Sequence, residues 1–177
     1  MSPASLEKTL ATYTHPLTGE NLPAATLPDL LKSTPLLWLQ FLRHLGCIFC
    51  KGLVQDTRTF IEKWDRGPKP LLVFIHPNTL EEGKAFFARF YPGAVHIADP
   101  ELRLYRLFKV GRAKPLLQLH PRNLLHFLSL TKRGLTNDRP TADPLVLQAS
   151  LLFREGKLIW SYYAKRLSDV PDWRKYP

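Results

Sequence analysis

The sequence predicts an α/β protein: a mixed central sheet with helices on both faces, a helical insertion, and two closing strands. Three observations point there. Two near-continuous apolar runs, at residues 35–44 (PLLWLQFLRH) and 71–76 (LLVFIH), read as strands covered on both faces, as parallel strands are. Between and after these runs, apolar residues recur at helical spacing, so strand and helix alternate along the chain. Near the end, two apolar segments flank Arg154-Glu155-Gly156 in the pattern of a hairpin, which makes the sheet mixed.

The elements follow in order. Residues 1–34 read as an N-terminal arm with a small hairpin around Leu17-Thr18-Gly19-Glu20, and residues 35–177 as one domain. After the first strand, Leu53, Val54, Phe60, Ile61 and Trp64 share one side of a helix that Gly67 and Pro68 break. Beyond the second strand, Asn78 or Thr79 can cap a helix, each with a glutamate three residues later. Phe86, Phe87, Phe90 and Tyr91 form its apolar face, and Pro92-Gly93 stops it. Residues 94–98 make a short strand. Asp99 is expected to cap the next helix, with Pro100 at its first position and Gly111 past its end. A further helix covers residues 122–133 and ends at Gly134; the last two strands are residues 145–153 and 157–164.

Composition narrows the function classes. A chain of 177 residues that is 45% hydrophobic and 11% aromatic folds, and it is long enough to bury a core without staples. Its longest apolar run falls far short of the ~20 residues that cross a bilayer, so no membrane partner is expected. The start lacks the basic head and apolar stretch of a signal peptide, which leads us to expect a cytoplasmic protein whose thiols stay reduced. The net charge of +10 divides into +1 over residues 1–100 and +9 over residues 101–177. A basic half attracts anions, but these charges are scattered and read as a solvated surface, so nucleic acid is not expected as a partner. Trp160, Tyr162 and Tyr163 likewise read as core and sheet-face residues rather than a stacking platform for single strands.

Both cysteines, Cys47 and Cys50, lie in the stretch RHLGCIFCKG, where the first strand hands over to the first helix. A structural disulfide across two residues would close too little chain to matter. A zinc site commonly takes four ligands, yet there is no second cysteine pair, and the six histidines (His15, His44, His76, His96, His120, His126) show no H-x₃₋₅-H spacing. No metal and no cofactor are therefore expected. A reactive dithiol fits best, with inert buried thiols as the alternative. At a helix start the free N–H groups and the macrodipole stabilise a thiolate, so Cys47 should ionise below the usual ~8.5. Arg43, His44 and Lys51 add positive character nearby. Cys50, one turn further in, should be more buried and act as the resolving thiol.

Four neighbours carry open readings. His44 could serve as a general base for Cys50, as a cation beside Cys47, or simply as a strand-end histidine bonded within the fold. Arg43 could act electrostatically on the thiolate, unless strand alternation turns it away. Ile48 and Phe49 could offer an apolar contact surface to a partner or pack in the core.

The motif Arg43-His44-Leu45-Gly46-Cys47-Ile48-Phe49-Cys50, with the later segment EEGKAFFARFYPGAVHIADPELRLYRLF, resembles the thioredoxin-fold redox proteins of the alkyl hydroperoxide reductase/thiol-specific antioxidant group. It is most similar to the peroxiredoxin-like proteins related to selenoprotein L, and the likeness runs from Pro35 to Trp173. The resemblance implies a thioredoxin-like fold and places Cys47 and Cys50 at the redox pair, which in some relatives includes selenocysteine. Departures qualify it. Peroxiredoxins carry P-x-x-x-[TS]-x-x-C, and here Gln40 and His44 stand at the Pro and Thr/Ser positions. The strand expected to supply a peroxide-orienting Arg reads Leu147-Gln148-Ala149-Ser150. Thioredoxins place a cis-proline before this strand; here Ala149-Ser150 stands there and the nearest proline is Pro144.

The expected function is thus a thiol–disulfide oxidoreductase, with Cys47 attacking and Cys50 resolving, acting on a thiol or disulfide protein partner with electrons from a dithiol donor. An atypical two-cysteine peroxidase acting on hydroperoxides is the alternative, with weak activity expected because both orienting groups are missing. A basic binding module with a redox-sensing or idle dithiol is the third.

Overall fold

The structure, a computed structural model, describes residues 9–10, 12–113 and 121–172. The first residues of the arm, His120 and Trp173 lie outside this set. Six strands form one mixed sheet in the order β1-β4-β3-β2-β5-β6: β1 (Gly19–Glu20), β2 (Leu36–Phe41), β3 (Leu71–His76), β4 (Val95–Ala98), β5 (Ala149–Arg154) and β6 (Lys157–Tyr163). β2, β3 and β4 run parallel, while β1, β5 and β6 pair antiparallel with their neighbours. The helices are α1 (Leu27–Lys32), α2 (Ile48–Glu62), α3 (Leu80–Phe90), α4 (Arg103–Leu107) and α5 (Pro121–Lys132).

β2 is central and wholly buried, which is why it reads as a near-continuous apolar run. Its alternating side chains feed two cores. Leu36 and Trp38 join α2 and α3 on one face, whereas Leu37, Leu39 and Phe41 join α1 and α4 on the other. Burying each such side chain contributes roughly 1.5–3 kcal/mol before entropy is counted. Gln40, the one polar residue in β2, is fully engaged: it donates to the Phe41 and Ala149 carbonyls at 3.1 and 3.0 Å and accepts from Ser150 at 2.7 Å. The insertion helix α5 lies against α2 where Gly52 has no side chain; a Cβ there would meet Leu130 at 2.6 Å.

Several boundaries differ from the sequence expectation, each for a local reason. In place of a self-contained hairpin at residues 17–20, Gly19 and Glu20 extend the central sheet beside Ile97 and His96, and only a single Pro16–Thr26 bridge closes the arm's turn. β2 stops at Phe41 because the chain then leaves for α2. α4 begins at Arg103, since Leu102 adopts a left-handed conformation (φ 56°). Asp99 still caps it from a distance, accepting N–H bonds from Arg103, Leu104 and Tyr105 at 2.9, 2.8 and 3.3 Å. The same helix ends before Lys109 (φ 54°), ahead of Gly111. Of the two candidate caps for α3, Thr79 forms a reciprocal box with Glu82, which frees Asn78 for the site described below. β5 starts at Ala149, the stretch before it being drawn into a bridge between Val146 and Arg112. The closing hairpin turns at Glu155 (φ 49°) and Gly156 (φ 75°), the paired left-handed residues a two-residue turn needs.

Candidate functional site

The site forms where β2 ends. The Leu42 N–H still bonds to the Ile75 carbonyl of β3 at 2.8 Å, and the Tyr105 hydroxyl holds the Leu42 carbonyl at 2.5 Å. The chain then turns, with the Cys47 N–H donating to the His44 carbonyl at 3.1 Å. Cys47 is the N-cap of α2, extended at φ −76° and ψ 126°, and its carbonyl takes the first helical bonds from Cys50 and Lys51. Its sulfur therefore sits beside the Phe49 and Cys50 N–H groups at the positive end of the helix. Both thiols are free and buried, Cys47 at 2% exposure and Cys50 at 0%.

Arg43 faces inward and reaches both sulfurs. Its Nη1 donates to Cys47 Sγ at 2.9 Å, and its backbone N–H donates to Cys50 Sγ at 3.2 Å. The guanidinium is fixed by two carbonyls, Val146 at 3.1 Å from Nε and Pro144 at 2.5 Å from Nη2. Strand alternation no longer governs Arg43, because β2 has ended two residues earlier. Burial pushes the Cys47 thiol up, but the Cys50 thiol, the Arg43 guanidinium and the Cys50 and Phe49 N–H groups outweigh it and bring it down to about 6. Burial together with the neighbouring Cys47 pushes the Cys50 thiol well above its ordinary value. The two sulfurs thus differ in the sense a nucleophile and a resolving thiol require.

His44 is buried, and burial, with Arg43 and Lys51 close by, lowers its pKa to about 4. Its ring is neutral near pH 7 and adds no charge beside Cys47, contrary to one sequence expectation. No hydrogen bond joins the ring to either sulfur among the described residues, and Nδ1 has no partner. Ile48 and Phe49 are packed in the core at 1% and 8% exposure, so they present no contact surface; Phe49 meets the His126 ring of α5 at 5.4 Å.

Thr136, Asn137, Asp138 and Thr141, unremarked in the sequence, complete the surroundings through Ile48, Gly46, Lys51 and Asn78. The Ile48 N–H donates to Asn137 Oδ1 at 3.1 Å, and Asp138 N–H donates to the Gly46 carbonyl at 2.9 Å. Buried Lys51 donates to the Thr136 carbonyl at 2.8 Å and to Asp138 at 2.6 Å. Asn78 accepts from the Leu45 N–H at 3.1 Å and donates to Thr141 at 2.7 Å. In sequence, residues 135–141 offer only a loop signal after Gly134, and nothing local says that the loop folds back onto α2. Among the described residues, no group of three His, Cys, Asp or Glu side chains could hold a metal ion, and no helix is long and apolar enough to cross a membrane.

No family model and no curated protein matches the chain. Solved structures do. A Xanthomonas campestris peroxiredoxin Q superposes with a TM-score of 0.61 at 13% identity, over 89% of this chain and 85% of its own. A Xylella fastidiosa PrxQ mutant gives 0.62 at 11% identity, over 89% and 82%. The mixed oxidized and reduced MTB dsbF gives 0.51 at 12% identity, over 89% and 87%. At such identities the likeness is one of architecture, and the architecture of this chain is the thioredoxin-like fold.

Proposed function

We propose that the chain is a dithiol redox enzyme in which Cys47 is the nucleophile and Cys50 the resolving thiol. The observation that carries this reading is the 2.9 Å contact of Arg43 Nη1 with Cys47 Sγ at the start of α2, with Cys50 one turn further in. On a disulfide substrate, the Cys47 thiolate attacks one sulfur, forms a mixed disulfide and releases the other sulfur as a thiolate. Cys50 passes its proton to a released thiolate and attacks Cys47, which frees the second substrate thiol and leaves a Cys47–Cys50 disulfide. An external dithiol donor then reduces that disulfide and is itself oxidised. Arg43 stabilises the attacking thiolate, and His44, with a neutral ring, meets Cys47 through its backbone carbonyl. The eight-residue motif supports kinship with the selenoprotein L-related redox proteins, and two free thiols suit a reducing, cytoplasmic setting.

A second reading, reduction of hydroperoxides, gains support from the same contact. Arg43 supplies, from just before α2, the guanidinium that the sequence lacks at the position expected by resemblance. Here the Cys47 thiolate takes one oxygen to become a sulfenic acid while the other leaves as an alcohol or water. Cys50 then displaces water to give the same disulfide.

Reacting the reduced protein separately with oxidised glutathione and with hydrogen peroxide, followed by peptide mapping, tests both. A Cys47–Cys50 disulfide is the expected product of each, and Cys50→Ser should trap a glutathione mixed disulfide at Cys47. Two free thiols after both treatments would refute the proposal, and the ratio of the two rates ranks the readings.

A further inference from the structure

Cys47 is almost sealed from solvent: Arg43 lies on its sulfur, and one loop is bonded across the backbone on either side of it. Residues 135–139 bond to the residues on either side of Cys47: Asp138 N–H to the Gly46 carbonyl, Asn137 Oδ1 to the Ile48 N–H, and Asp138 and Thr136 to the Lys51 ammonium. The loop backbone lies directly on Gly46, since a Cβ at that position would meet the Arg139 carbonyl at 2.3 Å. Leu135, 7% exposed, anchors the near end of the loop in the core. The latch is asymmetric: the Lys51 side chain is 2% exposed, whereas its partner Asp138 is 56% exposed.

Thiol–disulfide exchange places three sulfurs nearly in line, so a disulfide carried on another protein must bring its backbone close to Cys47. With the loop in place, the Gly46 carbonyl and the Ile48 N–H on either side of Cys47 are already taken, and the Arg139 carbonyl lies on Gly46. A partner backbone therefore has to displace the loop to pair there. A hydroperoxide or another small oxidant makes no such demand. Both hydrogen-bond partners of the buried ammonium come from this loop, so releasing the loop also returns that charge to water. This recovers the desolvation cost that otherwise makes breaking a buried pair expensive. Beyond the Leu135 anchor, the loop is thus fastened by polar bonds that water can replace, unlike the apolar packing beneath it.

Resting on the redox reading of Cys47, we propose that residues 135–139 form a gate that determines which partners reach the dithiol. Closed, it passes small oxidants only; released, it admits a protein disulfide or dithiol. The Lys51–Asp138 pair is its latch and the Asn137–Ile48 bond its second tie. Substrate size is therefore set by this loop and not by the two cysteines.

The test measures access independently of redox chemistry. Reduced protein is alkylated with iodoacetamide or with a bulky polyethylene glycol maleimide, and labelling at Cys47 and Cys50 is followed in the unaltered chain, in Asp138→Asn and in Asn137→Ala. Each substitution should raise the bulky-to-small rate ratio at Cys47 about tenfold or more, the opening being a local equilibrium whose closing bonds are weakened. Unchanged ratios in both variants, or equal acceleration of both reagents, would overturn the gate. Labelling of Cys50 alongside Cys47 would indicate general loosening and would overturn it too. Failure of the redox reading is separable: peroxide and oxidised glutathione would then leave both thiols free whatever the labelling ratio.

Discussion

Arg43 addresses the two sulfurs through different groups, its guanidinium donating to Cys47 at 2.9 Å and its backbone N–H to Cys50 at 3.2 Å. Both sulfurs feel the guanidinium charge, but only Cys47 accepts a hydrogen bond from it, Cys50 taking one from the peptide N–H instead. Burial raises both thiols, so the asymmetry between them depends on what each receives in return. The Cys50 thiol hydrogen bond lowers Cys47 most and the guanidinium next, so replacing Arg43 by Met should remove part of that difference. The midpoint of the pH–rate profile for iodoacetamide at Cys47 should move upward from about 6 by at least a unit, and the rate at pH 7 should fall about twofold or more. Arg43→Lys should restore part of the shift. A profile that stays put in Arg43→Met would mean the side chain only braces the Val146 and Pro144 carbonyls.

Cys47 should be alkylated first and Cys50 should stay protected. Limiting iodoacetamide with peptide mapping across pH reads this out, with a Cys47 midpoint below the ordinary thiol value of ~8.5. Labelling of Cys50 first would exchange the roles of the two residues.

The fold was largely legible because its strands are buried on both faces and its helices carry strong punctuation. Residues 71–76 match β3 in full, and the Thr79–Glu82 box and Gly134 mark real helix ends. The errors fell where long-range contacts override local signals. Leu102 turns left-handed so that Asp99 can reach the start of α4, and Gly19-Glu20 give up a local hairpin for the sheet edge. The site was half legible. Cysteine spacing and position announce themselves, but the side-chain direction of Arg43 depends on where β2 stops. The roles of Asn137 and Asp138 depend on a loop closing over more than eighty residues of chain.

Acid should destabilise the protein through its buried histidines. Burial lowers His44 to about 4; burial and the adjacent His96 ring lower His76 to about 3. His96, 3.0 Å from His76, is lowered by burial against the opposing pull of Glu20. In each case the folded pKa lies below the unfolded ~6.5, so the unfolded chain takes up protons first as pH falls. The contribution of these histidines is therefore full above pH ~6.5 and declines below it, by up to ~1.4 kcal/mol per pH unit for each histidine left neutral in the fold. Urea unfolding at a series of pH values from 8 to 5 should show stability falling from pH 8 downward, because the Cys47 thiol is lowered to about 6 in the fold. The fall should steepen below ~6.5 as the histidines add to it. A midpoint independent of pH over that range would contradict the neutral assignment.

The peroxide question turns on whether Arg43 acts only on the thiolate or also on the transition state. A peroxidase gains speed by stabilising charge that develops on the leaving oxygen, and one such preorganised donor is typically worth ~10²–10³ in rate. In this chain Arg43 can serve as one, while His44, neutral and lacking a hydroxyl, stands where a second is expected by resemblance. Cys47 should therefore react with hydrogen peroxide faster than a free thiol of equal ionisation, yet more slowly than a site with both donors. Arg43→Met separates the two effects at a pH where Cys47 is fully ionised in both proteins. If the guanidinium acts on the transition state, the iodoacetamide rates should converge there while the peroxide rate of the variant stays about tenfold or more lower. If both rates converge, Arg43 merely ionises the thiol, and disulfide exchange becomes the better reading of this site.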